Sequence, residues 1–144
     1  MPKEFDMMKG LVGTWEGTTM MDGKETPVSV VYKVTSNGSV LTEILGPGQP
    51  MEMISVYHKE GNSLAMTHYC ALGNQPHMKL KKSDAKSVSF EMVGKSGIAS
   101  MKEPHMHAVT LTLTDPNTLQ AEWTHFENGK PSAEKALFTF KRKS

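Results

Sequence analysis

Turn signals recur at near-even intervals along this chain of 144 residues. The strongest are two Asn-Gly pairs, because both central residues of a type I′ hairpin turn need positive φ, which asparagine and glycine tolerate. Nine such signals divide the chain into ten segments. They are Asp22-Gly23, Asn37-Gly38, Gly46-Pro47-Gly48, Glu60-Gly61-Asn62, Gly73-Asn74, Ser83-Asp84, Gly94 to Pro104, Asp115-Pro116-Asn117 and Asn128-Gly129.

The segments between the turns alternate between apolar and polar residues, as half-buried strands do. Alternation is clearest from Val28 to Val34 and from Val109 to Thr114, and it predicts strands with one dry face and one wet face. No helix is indicated beyond a single turn from Glu4 to Lys9, where Phe5 and Met8 could plug an open barrel end.

Ten short strands joined by tight turns predict an all-β fold, a single antiparallel up-and-down β-barrel. A meander hides its edges by stacking into two sheets or by closing on itself, and ten strands favour closure. A β-sandwich remains the alternative, because turn spacing alone does not separate the two folds. The length predicts one domain over residues 1–144. Ten strands should also leave more unfilled space inside than eight, which is the physical basis for expecting a ligand.

Composition excludes several classes of function. With 16 basic and 15 acidic side chains interspersed, nothing favours nucleic acid. Cys70 is the sole cysteine, so no internal disulfide can form and a reducing compartment fits. No stretch approaches the length of a membrane span or resembles a signal peptide. We therefore expect a cytoplasmic protein without membrane insertion, although a secretion signal removed earlier would leave no trace.

Two stretches carry a family resemblance. Leu11 to Gly17, with Gly13-Thr14-Trp15 at its centre, resembles the Gly-x-Trp opening of the calycins: lipocalins, fatty-acid-binding proteins and nitrobindins. The resemblance implies that Trp15 packs across one barrel end under a basic residue of the last strand, Lys141 or Arg142.

The stretch from Met66 to Pro76, with Thr67-His68-Tyr69-Cys70 and Gly73-Asn74-Gln75-Pro76, is similar to an uncharacterised bacterial family of barrel proteins. That similarity implies a fold and no function. The chain lacks the helical lid pair of fatty-acid-binding proteins and shows no clear match to the nitrobindin haem segment.

Several polar residues fall on the apolar parity of predicted strands. Side chains two apart on a strand share a face, which pairs His68 with Cys70, His105 with His107, and Trp123 with His125. Their apolar neighbours predict that all three pairs face inward. Such a patch meets the polar end of a ligand, or it bonds to backbone and threonines and does nothing more.

Glu43 and the methionines leave alternatives open. Glu43 faces inward if Leu41 and Leu45 do, and outward if Val40 and Ile44 face in; inward, it would be the best partner for a histidine. The 12 methionines suit adaptable ligand surfaces, but ordinary core filling accounts for them equally well.

No catalytic motif is present, so we expect a binding protein rather than an enzyme. The predicted ligand is a small, mostly hydrophobic molecule, and the alternative is an enzyme or redox protein that uses the histidines. We expect no cofactor, with haem or a transition metal as the variant in which His68, Cys70, His105, His107 and His125 supply ligands. A homodimer is a further possibility. The predicted ligand-binding residues are Trp15, Glu43, His68, Cys70, His107, Trp123 and His125.

Overall fold

A computed structural model describes residues 1–144 as a closed antiparallel barrel with one short helix. The helix α1 spans Lys3–Lys9. The strands are β1 (Gly13–Met21), β2 (Lys24–Thr35), β3 (Val40–Leu45), β4 (Met53–Glu60), β5 (Ser63–Tyr69), β6 (His77–Ser83), β7 (Ser87–Met92), β8 (His105–Asp115), β9 (Thr118–Glu127), β10 (Lys130–Pro131) and β11 (Ala136–Arg142).

The chain forms an up-and-down meander that closes on itself. From β1 to β9 every strand pairs with the next, β9 pairs with β11, and β11 pairs with β1. The two-residue strand β10 is extra and pairs with the end of β9. Each predicted turn falls at a strand junction, and the β1–β11 pairing rules out the sandwich. The prediction of about ten strands in a barrel is confirmed.

The two ends of the barrel differ. The end that carries α1 is closed: Phe5 and Met8 are fully buried in the core, as the predicted plug requires. Because successive strands run in opposite directions, the β1–β2, β3–β4, β5–β6 and β7–β8 connections lie at the other end. We call that end the mouth, and define it by seven inward-facing residues: Met53, Cys70, Met92, Met106, His125, Ala136 and Phe138.

Packing is dense in the half of the barrel near the helix. Trp15, Tyr57, Phe90 and Phe140 are all at most 1% exposed there. The prediction of a roomy interior is therefore not met in this half, because large aromatic side chains fill it.

The helix α1 is neither long nor apolar enough to cross a membrane.

The barrel seam between β1 and β11 depends on a close backbone approach. A Cβ atom added to Gly17 would lie 1.8 Å from the carbonyl oxygen of Thr139. No side chain other than hydrogen fits at Gly17 without moving one of the two strands.

Candidate functional site

A row of polar side chains crosses the interior of four consecutive strands. Tyr32 lies opposite Glu43, Glu43 opposite Ser55, and Ser55 opposite His68. Residues directly opposite in neighbouring antiparallel strands share a face, so all four point into the barrel. Glu43 is 4% exposed, which answers the question that the sequence left open: it faces inward.

The Glu43 carboxyl is held by two phenols. The Tyr32 hydroxyl donates to Oε2 at 2.6 Å, and the Tyr57 hydroxyl donates to the same oxygen at 3.2 Å. Burial raises the pKa of Glu43, and the hydroxyls of Tyr32, Ser55 and Tyr57 partly offset that rise. Burial also raises the pKa of both tyrosines well above the usual value, so both remain donors at neutral pH.

His68 ends this row with one nitrogen left over. Its Nδ1 lies 2.8 Å from Ser55 Oγ, and its ring contacts Trp123 with 4.6 Å between ring centroids. Burial lowers the pKa of His68 to about 4, so the imidazole is neutral near pH 7. The Nε2 atom is buried and has no hydrogen-bond partner. A buried polar atom of this kind is costly unless something pairs with it.

Above His68 lies the mouth, whose wall is apolar and rich in sulfur. Cys70 Sγ is 3.9 Å from Met53 Sδ, and burial raises the pKa of the Cys70 thiol. His125 is half-buried and its Nδ1 lies 2.8 Å from Ser132 Oγ. Met53 and Met106 are only partly buried although both pack against the core, whereas Met66 and Met78 are fully buried. Met66 and Met78 thus fill the core, which is one of the two predicted roles, while Met53 and Met106 line the mouth.

His105 and His107 do not join this interior patch. A β-bulge shifts the register between Met106 and Ala108, so the parity counted back from Val109 fails at His107. His107 stacks on Phe126 with ring centroids 3.7 Å apart, and Phe126 lies three residues from the inward-facing Trp123, on the opposite face. The register therefore separates His105 and His107 from the row of Tyr32, Glu43, Ser55 and His68, although His105 is itself fully buried. The part of His107 in ligand binding stays a prediction.

Trp15 lies at the closed end, away from the mouth. Its Nε1 donates to the Leu11 carbonyl at 2.8 Å, and the Arg142 guanidinium carbon lies 4.3 Å from its ring centroid. Arg142, rather than Lys141, is thus the covering basic residue. Trp15 thus packs at the helix end of the barrel, and its predicted part in ligand binding stays a prediction.

The predicted metal ligands are also divided. His105 bonds to His107 and to the Glu103 carbonyl, apart from the row that ends at His68. No group of three or more His, Cys, Asp or Glu side chains is arranged to hold a metal ion. A cleft of about 540 Å³ opens on the surface at the helix end, beside Lys86, Asp115 and Arg142. It is separate from the interior row.

Sequence reasoning missed Tyr32, Ser55, Tyr57 and Asn74. The first three share parity with apolar neighbours on β2 and β4, which is a usable signal once the strand faces are known. Asn74 follows a glycine in a turn, and no sequence pattern distinguishes it from an ordinary turn residue.

Comparison with known proteins does not assign this chain to a family. No protein-family model matches the chain, and none of the curated proteins compared matches it in sequence. Among solved structures, a redesigned beta barrel aligns over 94% of each chain with 16% identity and a TM-score of 0.45. The calycin resemblance therefore stays a prediction, while the closed antiparallel β-barrel rests on the strand pairing itself.

Proposed function

We propose that this protein binds a small, mostly hydrophobic molecule in the mouth of its barrel, with His68 and Trp123 at the inner end. The observation that carries the proposal is the unpartnered Nε2 of His68, which is 1% exposed. Native structures leave few buried polar atoms unpaired, and a ligand atom is one means of pairing this one.

Packing determines where such a ligand would fit. The half of the barrel near the helix is filled, whereas Met53, Met106, Ala136 and Phe138 at the mouth are only partly buried. These side chains offer an apolar wall above a single polar atom. A wall of this kind around a few convergent polar groups is typical of small-molecule sites.

Two adjacent residues of β11 offer a matched test. Ala136 faces inward opposite Trp123, whereas Leu137 faces outward and is 46% exposed. The variant Ala136→Trp would fill the mouth, and Leu137→Trp would add the same side chain to the outer surface. Binding is measured by displacement of an environment-sensitive dye with a panel of hydrophobic molecules, and by mass spectrometry of solvent extracts of the purified protein.

Wild type and Leu137→Trp are expected to bind the dye and to release it to panel members, and Ala136→Trp is expected to lose binding by about tenfold or more. The proposal fails if folded wild type takes up nothing from a broad panel. It also fails if Ala136→Trp binds as well as Leu137→Trp.

A further inference from the structure

The β7–β8 connection, residues 93–104, is the longest loop at the mouth, and we call it the strap. No residue of the strap is buried, and only Ile98, Met101 and Glu103 are half-buried. Ile98 packs against the hydrophobic core, so the strap lies over part of the mouth. A segment with so little buried apolar surface belongs to the less stable part of a structure, which opens most readily.

The strap is attached to the barrel on both sides. On one side the amides of Gln75 and His77, where β6 begins, donate to strap carbonyls at 3.1 Å each. On the other side the Asn128 amide, in the β9–β10 turn, donates to the Lys102 carbonyl at 3.2 Å. The strap therefore reaches along the rim from the β5–β6 hairpin to the β9–β10 hairpin.

A side-chain latch joins the strap to the β5–β6 hairpin. Asn74 Nδ2 donates to Glu103 Oε2 at 2.8 Å and to the Pro104 carbonyl at 2.9 Å. The other oxygen of the same carboxylate, Glu103 Oε1, accepts from the amides of Ala99 at 2.7 Å and Ser100 at 3.2 Å. One carboxylate thus ties the second half of the strap together and fastens it to the barrel.

The latch leaves one polar atom unsatisfied while the strap is closed. Asn74 is 8% exposed, and because both partners of its Nδ2 are acceptors, the amide orientation is fixed with Oδ1 as the free atom. That oxygen is buried and has no hydrogen-bond partner. A buried acceptor without a partner is destabilising, and opening the strap returns it to water. The closed strap is therefore poised to open.

Two glycines of the strap differ in their surroundings. Both have positive φ, 69° at Gly94 and 84° at Gly97. A Cβ atom added to Gly97 would collide with the Gln75 carbonyl, whereas one added to Gly94 would meet nothing within 4 Å. Gly97 is thus what allows the strap to approach the hairpin closely, and Gly94 is a matched position without that contact.

We propose that the strap is a gate over the mouth, which opens as one unit and so controls how fast a ligand enters and leaves. This inference rests on the proposed function and adds the route of access to the same site. Opening breaks the two Asn74 bonds and the three backbone bonds, and it leaves the barrel intact because the strap contributes none of the strand pairs.

Amide hydrogen exchange measured by NMR tests the opening without any ligand. The amides of Gln75, His77 and Asn128 donate to strap carbonyls, so a strap that opens as one unit gives them protection factors within about threefold of one another. The His68 amide donates to the Pro76 carbonyl inside the hairpin and is expected to be protected about tenfold or more strongly. Equal protection of all four amides, or unrelated values for the first three, would contradict the gate.

The two glycines supply a matched pair of variants. Gly97→Ala pushes the strap away from the hairpin, and Gly94→Ala adds the same methyl group in open space. Relative to Gly94→Ala, Gly97→Ala is expected to lower the protection of the three strap-bonded amides by about tenfold or more and to leave that of His68 unchanged. In stopped-flow mixing with an environment-sensitive dye, its association and dissociation rates are both expected to rise by about fivefold or more, because a gate acts on entry and exit alike.

The latch gives a second test if Gly97→Ala does not fold. Glu103→Gln keeps one acceptor oxygen instead of two, so it cannot hold Asn74 and the strap amides together. It is expected to change exchange and dye rates in the same direction by about threefold or more. Glu91→Gln, which removes an ion pair with Lys81 on the outer face of β7, is the control and should leave both unchanged.

The outcomes separate the two proposals. If no dye binds folded wild type, the proposed function fails, and the gate fails with it. If the dye binds and Ala136→Trp blocks it, but Gly97→Ala and Gly94→Ala show the same exchange and the same dye rates, the mouth binds ligands and the gate is overturned.

Discussion

The buried imidazole of His68 makes the stability of this protein depend on pH. Its pKa lies at about 4 in the folded chain against an ordinary value of 6.5, because burial disfavours the charged ring. Below about pH 6.5 the unfolded chain therefore binds a proton that the folded chain does not. Stability contributed by the neutral ring is lost as the pH falls from about 6.5 to about 4, and levels off below that range.

The size of this effect follows from the same two values. One pKa unit corresponds to about 1.4 kcal/mol, so the gap contributes about 3 kcal/mol over the whole window. Glu43 acts in the opposite direction, because its raised pKa favours the folded chain as the pH falls. A single pH profile therefore mixes the two groups, and a difference between variants is needed.

The assay is urea unfolding of wild type and His68→Phe at a series of pH values from about 7 to about 4. The free energy of unfolding of wild type minus that of His68→Phe should fall by about 3 kcal/mol as the pH is lowered across this range. This holds whatever the difference is at neutral pH. His58→Gln, an outward-facing histidine on β4, controls for loss of a histidine in general. Parallel profiles for wild type and His68→Phe would refute a neutral, buried imidazole.

Five further substitutions at four positions test the contacts that build the barrel, each by urea unfolding. Tyr32→Phe should lower the free energy of unfolding by about 2 kcal/mol and Tyr57→Phe by about 1 kcal/mol, because the shorter hydrogen bond is the stronger; equal losses would contradict this. Arg142→Ala should cost about 2 kcal/mol through its backbone acceptors and the Trp15 ring, and Arg142→Lys should recover only part. Gly17→Ala should cost about 3 kcal/mol or more, because its methyl group meets the facing carbonyl of β11; a wild-type midpoint would show that the seam yields easily.

Local chemistry determined the part of the fold that the sequence predicts well. Turn residues with positive φ, such as Asn37 and Asn128, mark strand junctions because few residue types tolerate that conformation. Alternation along β8 and β11 identifies a dry face wherever only one parity is apolar. The number of strands and the Phe5 plug follow from these short-range signals, whereas closure depends on the long-range pairing of β1 with β11.

Side-chain direction on some strands depended on tertiary structure. On β3 both parities carry apolar residues, so only pairing with β2 and β4 could turn Glu43 inward. At His107 a β-bulge inserts one residue and reverses the face of His105. No residue type in that segment predicts a bulge from the sequence.

The sequence by itself determined a meander of about ten strands, because turns and alternation are properties of neighbouring residues. Closure into a barrel rather than stacking into a sandwich was decided by the pairing of β1 with β11, which joins opposite ends of the chain. Only the tertiary structure decided which polar groups meet inside it. Whether a hydrogen-bond partner lies beside His68 Nε2 or Asn74 Oδ1 depends on strands and loops that are distant in the chain. For example, Asn74 Nδ2 bonds to the Pro104 carbonyl, 30 residues away. Long-range register sets such pairings, and it is fixed only once the whole barrel has closed.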